Sequence, residues 1–307
     1  MSDLFDALKA RVEGDLMFDR FSRGRYATDA SLYQMMPLGV LSPRSEDDIS
    51  AAIDIAGDQG LPLMARGGGT SQCGQTVNEA LVLDNTQYFN DILELDVEGQ
   101  RCVVRPGIVL DDLNRALKPH GLWFPVDVST ASRATIGGMT GNNSCGGKSL
   151  RYGMMRDNVL SIDAFLADGS KHHFGPVKSA VSPQLQSLTD DLLHLGAREA
   201  AEIDARFPKV MRRVGGYNID ALVPRDMPNN LAHLLVGSEG TLAYSTAIEL
   251  KLWPIISQKV LGVCHFPTFH QAMDAAQHLV TLKPQGVELV DATMIGLARA
   301  IPMFRQT

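Results

Sequence analysis

The stretch LPLMARGGGTSQCGQ, residues 61–75, places three consecutive glycines after a short apolar run and follows them with hydroxyl and amide side chains. Without Cβ atoms, Gly67, Gly68 and Gly69 can adopt positive φ angles and approach a ligand closely. Successive backbone N–H groups of this kind form an anion-binding nest without support from a helix. The stretch therefore predicts a phosphate-binding loop. The alternative is a tight turn between two strands, where glycine is favoured for conformational reasons alone.

Two other nucleotide-binding motifs fit the sequence less well. A dinucleotide-binding turn needs its glycines to open a helix, and no helix is predicted directly after Gly69. The stretch NNSCGGKS, residues 142–149, resembles a P-loop. However, Asn142 stands at the position of the first P-loop glycine, and no apolar strand precedes it.

The composition excludes some classes of partner. With a formal net charge of −7 and no block of basic residues, the chain is not expected to bind nucleic acid. No apolar run approaches the roughly 18–20 residues of a membrane span. The first residues, MSDLFDALKARVEG, predict an amphipathic helix rather than a secretory signal. We expect a cytoplasmic protein, with peripheral association with the inner membrane as the alternative.

The cysteines are far apart and form no CxxC pair; they are Cys73, Cys102, Cys145 and Cys264. Their spacing favours reduced thiols over a disulfide framework, a zinc site or an iron–sulfur site, so no metal site is predicted. Residues 129–153 are dominated by Gly, Ser, Thr and Asn. Such a polar stretch inside a compact domain indicates a functional or a disordered loop.

Hydrophobic periodicity, capping residues and turn signals predict the order of elements. The first half is expected to contain the N-terminal helix, a strand around Val40, a helix begun by a capping box of Ser45 and Asp48, strands at 61–65, 79–84 and 101–107, and a helix over 109–121. The second half is expected to contain a hairpin with its turn at Asp168 and Gly169, a helical region over about 183–205, two strands around the loop of GSEGTL, and, after Pro254, strand, helix, strand and helix.

Six short motifs together resemble a known family: PLMARGGGTS, PVDVS, TIGG, NNSCGG, YG and GSEGTL. They occur in the order and approximate spacing of the FAD-binding domain of the vanillyl-alcohol oxidase and p-cresol methylhydroxylase superfamily. The resemblance covers about residues 27–253 and is strongest to the D-lactate, glycolate and D-2-hydroxyglutarate dehydrogenase branch. The stretches VGGYNIDALVP and NLAHLLVGSEGTLAYS further resemble long flavin plus iron–sulfur fusion proteins of that branch.

The resemblance implies an α+β fold with two lobes and FAD between them. Residues 1–36 would be a helical lead-in, residues 37–253 the FAD-binding domain, and residues 254–307 the beginning of a substrate-binding cap. The remainder of the cap, with the catalytic residues, is expected beyond Thr307, so the chain alone is expected to lack turnover.

The resemblance also assigns residues to the cofactor. The pyrophosphate would lie against Arg66, Gly67, Gly68, Gly69, Thr70 and Ser71. The ribityl and isoalloxazine region would contact Ser129, Thr130, Ser132, Thr135, Gly137 and Gly138, with Asn142, Asn143 and Gly146 close to the ring. The adenosine half would be covered by Glu239, Gly240, Thr241, Leu242 and Tyr244. FAD is expected to be non-covalent, because Thr70 stands where covalent relatives carry histidine.

The function implied is FAD-dependent oxidation of a D-2-hydroxyacid, similar to D-2-hydroxyglutarate or D-lactate, to the 2-oxoacid. The substrate would be a small molecule, and an iron–sulfur domain is one possible electron acceptor. The alternatives are a flavin-binding module without turnover of its own, an oxidase of another alcohol on the same fold, and an amino-sugar reductase. Cys145 would lie beside the flavin, as a small buried side chain or as a redox group.

Overall fold

A computed structural model describes residues 2–177 and 183–305. Its strands are β1 Asp15–Met17, β2 Gly39–Ser42, β3 Leu63–Arg66, β4 Leu81–Asp84, β5 Ile92–Asp96, β6 Arg101–Val104, β7 Leu122–Trp123, β8 Val159–Phe165, β9 Lys171–Phe174, β10 Tyr244–Lys251 and β11 Trp253–Pro254. Its α-helices are α1 Ser2–Lys9, α2 Arg20–Gly24, α3 Glu46–Asp58, α4 Leu110–Leu117, α5 Ile136–Asn142, α6 Ser149–Tyr152, α7 Met155–Asn158, α8 Pro183–Arg198, α9 Ala200–Arg206, α10 Ala232–Leu235, α11 Phe269–Leu279 and α12 Ala292–Ala300. Short 3₁₀ segments lie at Lys118–His120, Ile219–Leu222, Val280–Leu282 and Pro302–Phe304.

The first lobe is built on a four-stranded sheet in the order β1-β2-β4-β3. The strands β2 and β3 run parallel to β4, and β1 pairs antiparallel with β2. Because β2 and β4 are buried along their whole length, they are continuous apolar runs rather than alternating ones. Helices α1 and α3 contribute to the same core through Leu8, Ile49 and Ile55.

The second lobe is an antiparallel sheet in the order β5-β6-β10-β8-β9. Helix α4 contributes Leu110, Leu113 and Leu117 to its core, as the helical spacing of these residues predicts, and Ile248 and Leu250 of β10 lie in the same core. The two sheets and their helices confirm the predicted α+β architecture with two lobes. Since β10 lies between β6 and β8, the second lobe includes residues as far as 251.

Helix α3 begins as predicted, but its capping box does not close. The side chain of Ser45 accepts a hydrogen bond from the backbone N–H of Asp48. The carboxylate of Asp48, however, accepts from the backbone N–H groups of Glu13 and Arg44 instead of returning to Ser45. Asp48 is buried, and its hydrogen bond with Glu13 links the start of α3 to the chain that precedes β1.

The predicted secondary structure differs from the observed one in four places. The stretch before GSEGTL was expected to be a strand and is the short helix α10, since a short apolar run does not distinguish a strand from a buried helix. Strand β5 and helix α5 were not predicted at all. The lead-in is also not only helical, because β1 joins the first sheet.

The segment after Pro254 forms its two helices, α11 and α12, but not its two predicted strands. The chain at 259–266 and 286–290 lies outside any sheet of the described residues. A strand needs a neighbour to satisfy its backbone groups, and none is present here. The last two residues of the predicted cap segment, 306 and 307, lie outside the described residues.

The lobes are joined by polar contacts beside the loops. Glu46 at the start of α3 accepts from Arg105 Nη1 at 2.6 Å and from Lys171, both in the second lobe. Arg105 also donates to the backbone oxygen of Thr246 at 2.9 Å. Burial raises the pKa of Glu46, but the two cations outweigh it, so its pKa lies below the ordinary value. These contacts fix the position of the first lobe relative to the second.

Candidate functional site

The glycine loop leaves the carboxyl end of β3. The backbone N–H groups of Gly67, Gly68, Gly69, Thr70 and Ser71 donate to no acceptor in the described part of the chain. Only Gly69 has a positive φ angle, +64°. The expectation of left-handed glycines is therefore wrong for Gly67 and Gly68. The loop nevertheless presents five successive donors, which is the donor set that a phosphate or pyrophosphate requires.

Gly67 and Gly68 are glycines because the second lobe packs against them. A Cβ atom at Gly67 would lie 2.0 Å from Oγ1 of Thr135, and one at Gly68 would lie 2.1 Å from the carbonyl oxygen of Arg133. No residue other than glycine fits at either position without displacing the loop. The absence of side chains thus brings the backbone of the first lobe against residues 133–135.

Arg66 lies beneath the loop rather than in it. Its guanidinium donates to the backbone oxygens of Tyr26, Thr28 and Thr76 at 2.7–3.0 Å. A Cβ at Gly69 would lie 2.6 Å from Nη2 of Arg66. Burial lowers the pKa of Arg66, although an arginine stays protonated near neutral pH. The side chain therefore holds the neighbouring segments and places a positive charge behind the N–H groups.

Residues 129–138 run along the glycine loop. The hydroxyls of Ser129, Thr130 and Ser132 make no hydrogen bond within the described residues and are exposed or half-buried. Thr135, in contrast, is buried and caps α5 by accepting from the N–H of Gly138. The free hydroxyls are available to a polar ligand, whereas Thr135 has an internal role.

The start of α5 does not offer its own N–H groups to an anion. The N–H of Ile136 donates to the oxygen of Ile108 at 2.9 Å, and that of Gly137 donates to the oxygen of Pro106 at 2.7 Å. A Cβ at Gly137 would also lie 2.5 Å from Cβ of Pro106. Gly137 is therefore required by packing.

The NNSCGG segment follows α5 and connects to other loops. Asn143 is buried with φ +52°. Its Oδ1 accepts from the N–H of Arg156 at 3.0 Å, and its Nδ2 donates to the oxygen of Arg213 at 3.4 Å. Asn142 is half-buried and donates from Nδ2 to Oε1 of Glu239 at 2.9 Å. Asn142 thus faces the GSEGTL loop, while Asn143 shapes the backbone.

The end of this segment excludes the P-loop interpretation. The Nζ of Lys148 lies 3.2 Å from Oδ2 of Asp127 and 5.1 Å from the ring centroid of Trp123. The lysine is therefore engaged in an ion pair and a cation–π contact. A Cβ at Gly146 would lie 1.4 Å from the oxygen of Asp127, so this glycine is required by backbone packing. Cys145 is half-buried in the same loop.

The GSEGTL loop closes the other side of α5. Glu239 and Gly240 have φ angles of +51° and +75°. The N–H of Glu239 donates to the oxygen of Gly141 at 2.9 Å. The hydroxyl of Thr241 lies 2.7 Å from the hydroxyl of Tyr217, a residue that was not predicted to belong to the site. Tyr217 stands in the VGGYNI stretch, whose glycines beside an aromatic residue were the available signal.

Leu242 and Tyr244 pack into the protein. Leu242 is half-buried against the core of the second lobe. Tyr244 is buried among first-lobe residues, and its hydroxyl donates to Oδ1 of Asn85 at 2.6 Å. Burial raises the pKa of this phenol. The side chain of Tyr244 therefore joins the lobes from inside.

Taken together, the glycine loop, residues 129–146 and the GSEGTL loop are neighbours at the junction of the lobes. The middle segment contacts the glycine loop through Thr135 and the GSEGTL loop through Gly141 and Asn142. The structure thus brings together the three groups of predicted residues, although Arg66, Thr135, Asn143 and Tyr244 are buried on internal partners. The accessible set consists of backbone donors and hydroxyls, which suits a phosphorylated, polyhydroxylated ligand.

The described residues contain no group of three or more His, Cys, Asp or Glu side chains arranged to hold a metal ion. Among the same residues, no helix combines the length and the apolar character needed to cross a bilayer.

Comparisons with known proteins agree with this architecture. A family of FAD binding domains matches residues 37–175. A D-2-hydroxyglutarate dehydrogenase of Pseudomonas putida is 35% identical over 96% of this chain. The glycolate oxidase subunit GlcD of Bacillus subtilis is 30% identical over 92% of the chain, and a mitochondrial D-lactate dehydrogenase (cytochrome) of Arabidopsis thaliana is 31% identical over 98%.

The chain spans only part of these relatives. It covers 30% of the Pseudomonas protein, 52% of the Bacillus protein and 46% of the Arabidopsis protein. Among solved structures, an alkyldihydroxyacetonephosphate synthase superposes with a TM-score of 0.66 at 19% identity, covering 93% of this chain and 47% of that one. This structural likeness supports the fold alone.

Proposed function

Since a family of FAD binding domains matches residues 37–175, we propose that FAD binds non-covalently at the junction of the two lobes. The observation that carries the proposal is the row of five N–H groups from Gly67 to Ser71 without an internal acceptor in the described chain. Backbone donors of this kind match the pyrophosphate of FAD. The charge of Arg66 behind Gly69 favours the same anion.

The other accessible groups have complementary roles. Ser129, Thr130 and Ser132 are placed to donate to or accept from the ribityl chain and the polar edge of the ring. Asn142, held by Glu239 at 2.9 Å, would position the NNSCGG loop against the ring. Thr241 and Tyr217, joined at 2.7 Å, would close the site on the GSEGTL side. Thr70 has no nucleophilic nitrogen, so no histidyl bond to the flavin can form at this position.

The reaction proposed for the protein is oxidation of a D-2-hydroxyacid to the 2-oxoacid. FAD, when bound, would supply the two-electron acceptor for the hydride of the α-carbon, and a base would be needed for the hydroxyl proton. The residues of this chain bind and orient the cofactor and exclude water from one of its sides. The support is the identity of 30–35% to D-2-hydroxyglutarate dehydrogenase, glycolate oxidase subunit and D-lactate dehydrogenase relatives.

The electron acceptor and location are proposed in the same way. The stretches VGGYNIDALVP and NLAHLLVGSEGTLAYS, which resemble flavin plus iron–sulfur fusion proteins, favour an iron–sulfur domain as the acceptor. The location proposed is the cytoplasm or the surface of the inner membrane. No residue of the described chain is proposed as the catalytic base.

The test is to purify the protein with its flavin and add D-2-hydroxyglutarate, D-lactate or glycolate without oxygen. Loss of the visible flavin absorption with one of them, and not with its L-enantiomer where one exists, would support the dehydrogenase reaction and contradict the expectation that this chain alone lacks turnover. A flavin that none of them reduces would instead indicate a flavin-binding module or another alcohol substrate. A protein that takes up no FAD would contradict the whole proposal.

A further inference from the structure

A pocket lies outside the three loops of the candidate cofactor site. It is formed by helix α9, the chain at 207–213 and the turn after the 3₁₀ segment Ile219–Leu222. Met154, Ile203, Phe207 and Val223 give it apolar walls. The three arginines Arg156, Arg213 and Arg225 also line it, and we call it the arginine pocket.

The arginines are grouped around one carboxylate. Asp220 lies 2.8 Å from Nη1 of Arg156, 2.5 Å from Nη2 of Arg213 and 4.0 Å from Nη2 of Arg225. The pocket also contains an ion pair of Lys209 with Asp204. Its four cationic side chains thus face two carboxylates, and the lining has an excess of positive charge.

Two of these guanidinium groups have unused donors. Both arginines donate to the carboxylate of Asp220 and to Oδ1 of Asn218. Arg156 makes these hydrogen bonds through Nη1 alone, and Arg213 makes them through Nη2 alone. Their side chains are only 20% and 14% exposed. Within the described residues, the remaining N–H groups of both find no acceptor. A guanidinium largely withdrawn from water gains most from a carboxylate or phosphate partner.

The pocket is fixed in place by neighbouring contacts. The guanidinium carbon of Arg213 lies 4.4 Å from the ring centroid of Phe207, a cation–π contact that holds the planar group against an apolar wall. Arg156 and Arg213 are both bonded through their backbones to the side chain of Asn143. The arginine pocket therefore lies behind the NNSCGG loop and is preorganised.

We infer that the arginine pocket binds a small organic carboxylate, with the carboxylate on the free donors of Arg156 and Arg213 and the aliphatic body against Ile203 and Phe207. Inorganic phosphate shares the oxyanion chemistry, but it would leave the apolar walls without a partner. This inference is independent of the proposed function, because it concerns binding outside the cofactor loops.

The test is calorimetric titration of the protein with glutarate, inorganic phosphate and the uncharged glutaramide. Saturable binding of glutarate is expected, and phosphate should bind about tenfold more weakly. Glutaramide should not bind, because charge-assisted hydrogen bonds from the guanidinium groups contribute most of the affinity. Equal binding of phosphate and glutarate would overturn the assignment to an organic carboxylate. No saturable binding of glutarate would overturn the site.

Substitutions separate binding from structure. Asp220→Asn removes the competing carboxylate and should bind glutarate more tightly, with a larger rise of its unfolding midpoint on addition of glutarate than the parent shows. Arg213→Lys keeps the positive charge but loses the paired donors of the planar guanidinium, and it should bind glutarate at least about tenfold more weakly. Arg115→Gln, an exposed arginine paired with Asp112 on α4, is the matched control and should bind normally.

Two results would contradict the inference even if a variant is less stable. If Asp220→Asn is destabilised and its unfolding midpoint does not rise on addition of glutarate, the arginines have only a structural role in the ion pair with Asp220. Equal weakening by Arg115→Gln and Arg213→Lys would indicate non-specific attraction to the surface. Circular dichroism of each variant checks that folded protein is titrated.

Discussion

The hydroxyl of Thr135 occupies the place that a side chain at Gly67 would need, since a Cβ at Gly67 would lie 2.0 Å from Oγ1. The same hydroxyl accepts from the N–H of Gly138 and caps α5. One threonine of the second lobe therefore both starts a helix and sets the position of the glycine loop of the first lobe.

Gly67→Ala should displace the loop and lower the FAD content of the purified protein, because the new Cβ overlaps Oγ1 of Thr135. Removing that oxygen in Gly67→Ala/Thr135→Ala should restore part of the FAD content, at a cost of about 1 kcal/mol of stability from the lost helix cap. Gly57→Ala is the control, since Gly57 lies in α3 and a Cβ added there would meet no other part of the protein within 4 Å. The idea fails if Gly67→Ala binds FAD as well as Gly57→Ala does.

Gly68→Val should abolish FAD binding while much of the fold survives. The atom that a Cβ would meet here is the backbone oxygen of Arg133 at 2.1 Å, which no side-chain truncation can remove. A second substitution at 133 should therefore give no rescue, in contrast to position 67. Flavin content and far-UV circular dichroism measure the two effects separately. Full flavin occupancy in Gly68→Val would contradict the assignment of this loop to the pyrophosphate of FAD.

The flavin should be released intact by acid precipitation, because Thr70 cannot form a histidyl link. Chromatography of the supernatant should identify FAD rather than FMN, since the N–H groups from Gly67 to Ser71 are proposed to hold a pyrophosphate, which FMN lacks. Yellow colour retained in the protein pellet would contradict non-covalent binding.

Tyr244→Phe should lower the free energy of unfolding by about 1–3 kcal/mol, because it leaves Oδ1 of the buried Asn85 without its 2.6 Å partner. Flavin content should be unchanged if the phenol is structural. Denaturant titration measures the first quantity and absorbance the second. Loss of FAD at unchanged stability would instead support the adenosine contact predicted from the sequence.

Glu46 should make the contact between the lobes sensitive to acid. Its pKa is lowered in the folded protein, so its stabilising contribution is complete above the unfolded pKa of about 4.3 and is lost as the pH falls through the folded value. Glu46→Gln should be less stable than the parent near neutral pH, and the difference should shrink below about pH 4. Unfolding midpoints compared across pH measure this difference, and Glu98→Gln, which removes an exposed carboxylate outside the contact between the lobes, is the control.

Local chemistry determined much of this protein from its sequence. The apolar runs of β2 and β4, the spacing of Leu110, Leu113 and Leu117 in α4, and the Asp-Gly turn between β8 and β9 depend on neighbours in the chain, and all were predicted. The glycine loop was also identifiable as a candidate site, because consecutive glycines followed by hydroxyls are a local pattern.

The tertiary structure alone decided what those glycines contact and which predicted residues face inward. Arg66 bonds to oxygens up to 40 residues away, and Tyr244 bonds to Asn85 across 159 residues. The arginine pocket joins Arg156 to Asp220 across 64 residues. Contacts between distant residues depend on how the two lobes pack, and side-chain periodicity carries no information about that packing. The sequence therefore specified the loops, and the packing of one lobe on the other specified which atoms they present.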